Sequence, residues 1–150
     1  MIAALAVTAV TTALLCAACS ASTPAPSLTV TGAVVVEPVT SGDPATAYFT
    51  IDIHTSSTDS LISVTSPVST HIVLNNTGSA GSTAAPIAAP AQTSTALTPF
   101  GPDVCVFDPA TLHPGAFVQL DLQFKNAGTI AVQAAMRTAA RSAGGRSPSS

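Results

Sequence analysis

Residues 118–125, VQLDLQFK, carry an apolar side chain at every even position and a polar one at every odd position. A period of two sends successive side chains to opposite faces of an extended chain, so the segment reads as a β-strand with one buried and one wet face. Phe49, Ile51 and Ile53 alternate with Tyr48, Thr50 and Asp52 in the same way, and Ile130, Val132 and Ala134 repeat the pattern after an Ala-Gly turn. Turn-forming clusters recur at short intervals, at Ser41-Gly42-Asp43-Pro44, Ser56-Ser57-Thr58-Asp59, 75–82, 99–102, 109–115 and Asn126-Ala127-Gly128. Such spacing predicts seven or so strands in an all-β, Ig-like antiparallel sandwich with Greek-key connections. Between 77 and 96 the period fails, and the Gly/Ala/Pro/Ser/Thr run reads as an extended loop with at most short strands.

Composition narrows the class. Hydrophobic residues make up 47% of the chain and charged ones 7%, too apolar for a disordered protein, while 12 prolines disfavour a helical bundle. Once both ends are set aside, a body of roughly 100 residues remains, enough for one core. All four basic residues, Lys125, Arg137, Arg141 and Arg146, stand at or beyond position 125, so the body lacks the clustered cations a phosphate backbone requires, and nucleic acid is not expected as a partner. There is no His-x-x-x-His, no Gly-x-Ser-x-Gly and no glycine-rich phosphate loop, and the chain is not expected to be an enzyme.

Residues 2–18, IAALAVTAVTTALLCAA, form an uncharged apolar run too short to span a bilayer, which needs about 20 residues. The run reads as an export signal over residues 1–18. Cys16-Ala17-Ala18-Cys19 resembles a bacterial lipobox, which makes Cys19 the lipidated first residue of an exported protein anchored to the outer surface of the cell membrane. A plain secretory signal cut near Ala21 and an uncleaved anchor are the other readings. Residues 19–33 then form a tether, 34–136 the sandwich domain, and 137–150 (RTAARSAGGRSPSS) a disordered, solvated tail. With Cys16 removed and Cys19 lipidated, Cys105 is the one thiol left in the body and has no internal disulfide partner.

Three stretches together resemble the PCu(A)C family of copper chaperones: ATAYFTI at 45–51, DSLISVTSPV at 59–68 and LDLQFKNAG at 120–128. The resemblance covers roughly residues 34–134. It implies a cupredoxin-like sandwich that holds Cu(I) outside the cytoplasm and passes it to a copper-acceptor protein such as a cytochrome oxidase subunit. In that family the ion is held by a His and Met after the Ser-Pro-Val strand, a loop Met and a late His-x-Met, soft donors that suit Cu(I).

In this chain each of those positions departs from the pattern. Asn75 stands where the family has its first histidine, the loop 77–96 has no methionine, and Asp103 and Cys105 occupy the place of His-x-Met. Met136, the only methionine beyond the signal, falls outside the pattern. Two residues apart on a strand, Asp103 and Cys105 share a face, and a thiolate is a good soft-metal donor. His71 shares a face with Val73 and Asn75, but four residues of strand put it ~13 Å from Asn75. His54 and His113 sit in polar turns and read as solvated loop residues. The candidate metal ligands are therefore Cys105, Asp103 and His71, with Asn75 a degenerate ligand position.

Two functions fit this set. One is a lipid-anchored copper carrier with diverged ligands; the other is an envelope lipoprotein that keeps the sandwich as a protein-interaction scaffold without metal. Solvent access to Cys105 near His71 or His113 favours the carrier, and burial between the sheets favours the scaffold.

Overall fold

A computed structural model describes residues 27–76, 85–108 and 113–139, and among these there is no helix. Nine strands follow in order: β1 (Leu28–Val36), β2 (Ala45–Ile53), β3 (Asp59–Thr65), β4 (His71–Asn75), β5 (Ile87–Ala89), β6 (Ser94–Ala96), β7 (Asp103–Phe107), β8 (Phe117–Phe124) and β9 (Gly128–Arg137). They form an all-β sandwich, nearly closed, with the hydrogen-bonded order β4-β7-β2-β1-β9-β8-β3-β5. β6 and β7 divide one edge of β2, β6 pairing with Thr50–Asp52 and β7 with Ala45–Ala47. The 77–96 region, read as a loop with at most short strands, carries β5 and β6, three residues each, among its described residues.

The alternating segments bury the faces their period assigns. Val118, Leu120, Leu122 and Phe124 of β8 meet Ala45, Ala47, Phe49, Ile51 and Ile53 of β2 in one apolar cluster that also takes Leu61, Ile87, Val104, Val106 and Met136. Burying each large side chain of this set stabilises the fold by roughly 1.5–3 kcal/mol. Met136 belongs to this core and lies outside any metal-binding face.

Two features differ from the sequence expectation. The domain starts six residues earlier than 34, because β1 begins at Leu28 within the stretch assigned to the tether. The cause is a β-bulge: between Thr31 and Val34 β1 advances three residues while β2 advances two, from Thr50 to Tyr48. Gly32 takes the left-handed conformation there, φ 65°, which a residue without Cβ adopts freely. The core-facing parity therefore flips from Leu28 and Val30 to Val35, and no single alternation runs through LTVTGAVVV. At the other end, β9 continues to Arg137, the first residue assigned to the tail.

The second difference is the parallel pairing of β1 with β9, Val34 to Ala135 through Val36 to Arg137, in an otherwise antiparallel array. It joins the half-sandwich β4-β7-β2-β1 to the half β9-β8-β3-β5. The buried Asp59 clasps one end of the second half. Its carboxylate accepts backbone N–H bonds from Ser60 (2.7 Å), Asn126 (2.9 Å) and Ala127 (2.8 Å), tying the start of β3 to the β8–β9 turn.

Candidate metal site

The strands that carry the candidate ligands are neighbours. In the β4–β7 ladder His71 lies opposite Phe107, Val73 opposite Cys105 and Asn75 opposite Asp103, and Thr46 of β2 lies opposite Cys105 on the other side. Directly paired residues share a face. Since Leu74, Val104, Val106, Ala45 and Ala47 point into the core, Asn75, Asp103, Cys105, Thr46 and Tyr48 stand on the outer face of this half-sandwich. That face is nevertheless covered: Asn75 is 3% exposed, Asp103 7% and Cys105 8%. Cys105 is thus neither open to solvent nor caught between the sheets.

Within this buried patch the Cys105 thiol donates to Asp103 Oδ1 at 3.6 Å, and the Asn75 side chain hydrogen-bonds the same carboxylate. Burial raises the Asp103 pKa above the ordinary carboxylate value, against the lowering effect of its bonds from Asn75 and Cys105. Burial, the Asp103 charge and the bond to Asp103 push the Cys105 thiol up to about 11. At pH 7 the thiolate is on the order of one part in ten thousand. A metal meeting Cys105 has to displace that proton, which makes affinity depend on pH. Tyr48, across from the pair, is raised by burial and by the negative charges of Asp103 and Cys105, while its bond with Thr46 works the other way.

His71 is brought to the same face but not to the cluster. It is exposed at the start of β4, and its ring stacks on Phe107 with centroids 4.5 Å apart and planes 18° apart. Ser69 Oγ fixes the approach, accepting from His71 N–H (3.1 Å) and donating to the Phe107 carbonyl (2.5 Å). His113 is exposed in the turn before β8, and His54 hydrogen-bonds Thr29 Oγ1 (2.9 Å) at the opposite end of β2. Among the described residues, no group of three or more His, Cys, Asp or Glu side chains comes together to hold a metal.

Two participants escape a reading of the sequence for ligands. Asn75 is a hydrogen-bond partner of Asp103. Tyr48 walls the patch, and its position on the wet face of β2 is the signal that points to it.

The model of the family described as "Putative lipoprotein LpqE-like" matches residues 28–136. The chain belongs to the LpqE-like family. The lipoprotein in that description agrees with export, although Cys16 and Cys19, the 1–18 signal and the tail beyond 139 lie outside the described residues. No curated protein matches the chain.

Among solved structures, the copper-bound PCuAC domain of PmoF2 matches with a TM-score of 0.66 at 19% identity, over 75% of this chain and 94% of that one. The apo PCuAC domain of PmoF1 matches with a TM-score of 0.67 at 24% identity, over 75% and 95%. The Cu(I) form of DR1885 from Deinococcus radiodurans matches with a TM-score of 0.60 at 24% identity, over 80% and 83%. At these identities the matches establish a common fold, and the LpqE-like chain has the PCuAC sandwich that its residues resemble.

Proposed function

We propose that this LpqE-like protein is an exported, lipid-anchored copper-binding protein of the cell envelope, which meets Cu(I) through the Cys105 thiolate with Asp103 beside it. It would hand the ion to a copper-acceptor protein such as a cytochrome oxidase subunit. The observation that carries this reading is the meeting of Asn75, Asp103 and Cys105 on one sheet face, in register, within a fold whose neighbours include copper-bound PCuAC domains. Asp103 and Asn75 are hard donors, so the site has one soft ligand and holds Cu(I) weakly and exchangeably.

The burial and retained proton of Cys105 favour a second reading, an envelope lipoprotein that keeps the sandwich as an interaction scaffold. A Cu(I) competition titration under reducing conditions, on the chain from Ser20 onward, separates the two. For the carrier, one-to-one binding is expected that tightens as pH rises from 6 to 9 and disappears in Cys105→Ala. Binding equal in the two chains at every pH leaves the scaffold.

A further inference from the structure

An open groove of about 440 Å³ lies on the outer face of the β4-β7-β2-β1 half. It is lined by Val36, Thr46 and Tyr48 of that face and by Glu37, Asp43 and Pro99 from the loops that border it. Its rim is apolar and open to solvent: Val39 is 77% exposed, and Phe100, next to Pro99 in the chain, is 97% exposed.

The sheet beneath the groove is closed. Thr46 stands between Val36 of β1 and Cys105 of β7, and Val36 pairs on its other side with Arg137 of β9. A strand cannot be added where every edge is already paired, so whatever lies in the groove is held by side chains.

The side chains on offer are of two kinds. Glu37 and Asp43 are carboxylates, and no ion pair between described residues neutralises either. Valine, proline and one aromatic ring make up most of the rest. Anionic lipid and a phosphate backbone are repelled by the first kind. A bare metal ion leaves the second kind unused. An arginine meets both, because its guanidinium pairs with carboxylates and stacks on an aromatic face while its stem covers apolar surface. A second copy is the weaker occupant: the described residues offer only Lys125, beside the Asn126-Ala127 turn, and Arg137, whose own carbonyl accepts from Glu37 N–H at 2.9 Å.

From the opposed charges and the closed sheet, we propose that this groove docks an arginine-bearing segment of a partner protein, rich in proline or valine. Its guanidinium groups lie on Glu37 and Asp43, and its apolar side chains lie against Val39, Pro99 and Phe100. The docking needs no metal.

The test adds two synthetic peptides, acetyl-VPRVPR-amide and acetyl-VPEVPE-amide, to the chain from Ser20 to Ser150 and follows amide signals by NMR. Expected with the arginine peptide alone is saturable movement at Glu37, Val39, Asp43, Thr46 and Tyr48, with none at Ser57 or Asn126. Affinity should fall about fivefold in Glu37→Gln/Asp43→Asn, whose other signals stay in place, and fall also in high salt, because exposed charge pairs hold the peptide. Movement that is absent, spread evenly over the domain or equal for both peptides overturns the proposal, as does an affinity unchanged in the variant. Groove signals that move on dilution without peptide assign the groove to a second copy, and groove signals that move on Arg141→Ala/Arg146→Ala without peptide assign it to the chain's own end. Either result overturns the docking of a partner.

Discussion

Asp59 and Asp103 are buried to the same degree, 8% and 7% exposed, in the two different halves of the sandwich, and their electrostatics run in opposite directions. Burial alone would raise both. At Asp59 the backbone N–H groups of Asn126, Ser60, Ala127 and Lys125 outweigh it and hold the carboxyl below its ordinary value. At Asp103 the partners are one amide and one thiol, burial wins, and the carboxyl is held above its ordinary value. Fixed backbone dipoles make a structural carboxylate, whereas a soft thiol and an amide leave a carboxylate that readily takes a proton. The first is a clasp built for stability. The second is a place where charge is costly and a cation would be welcome.

The contrast breaks most visibly at the clasp. Asp59→Ala orphans the N–H groups of Ser60, Asn126 and Ala127 and should destabilise the fold by about 3 kcal/mol in urea denaturation, since each buried unsatisfied donor costs about 1–3 kcal/mol. Asp59→Asn, which still accepts through one oxygen, should lose roughly half of that. The pH dependence has a definite sign. Because the folded pKa of Asp59 lies below its unfolded value, its contribution is present above about pH 4 and is lost as pH falls through the folded value. A stability curve that keeps its acid limb in Asp59→Asn would contradict the clasp.

At the other carboxylate the sign reverses. The folded pKa of Asp103 is raised, so stability declines as pH rises from the ordinary carboxylate value through the folded one, and Asp103→Asn should leave neutral-pH stability unchanged or higher by up to about 1 kcal/mol. Cys105 adds an alkaline window: its unfolded value of 9.0 lies below its folded value of about 11, so stability falls as pH rises across that range. Removing the Asp103 charge should bring the thiol down toward its ordinary value, seen as an earlier rise of thiolate absorbance at 240 nm. No movement of that titration in Asp103→Asn would separate the two groups.

The smallest effect belongs to His71. Removing a half-exposed ring stack in His71→Ala should cost about 0.5–1 kcal/mol and leave the Cys105 titration unchanged, because the ring lies on Phe107 rather than in the patch. A shift of the Cys105 titration in this variant would bring His71 into the site.

What could be read in advance follows from how far each signal reaches along the chain. The wet and dry faces of β2 and β8, the common face of Asp103 and Cys105, and the distance of His71 from Asn75 are consequences of a two-residue period, which a single strand contains. The bulge at Gly32 breaks that period by one residue, and the start of the domain was hidden with it. A two-residue period puts His71 on the same face as Val73 and Asn75, but the stack that holds it depends on Phe107, 36 positions away (107 − 71), and on a register no local pattern states.

Local chain chemistry therefore decides here that the protein is all-β and which side chains face the core. Whether the remaining polar groups meet is decided by the pairing of β4 with β7 and of β7 with β2, which sets Asn75, Asp103 and Cys105 on one face. The same pairing, with the burial of that outer face, turns three unremarkable side chains into a protonated thiol bonded to a carboxylate. A pKa depends on what surrounds a group in space, and residues from three separated strands come together only in the folded chain.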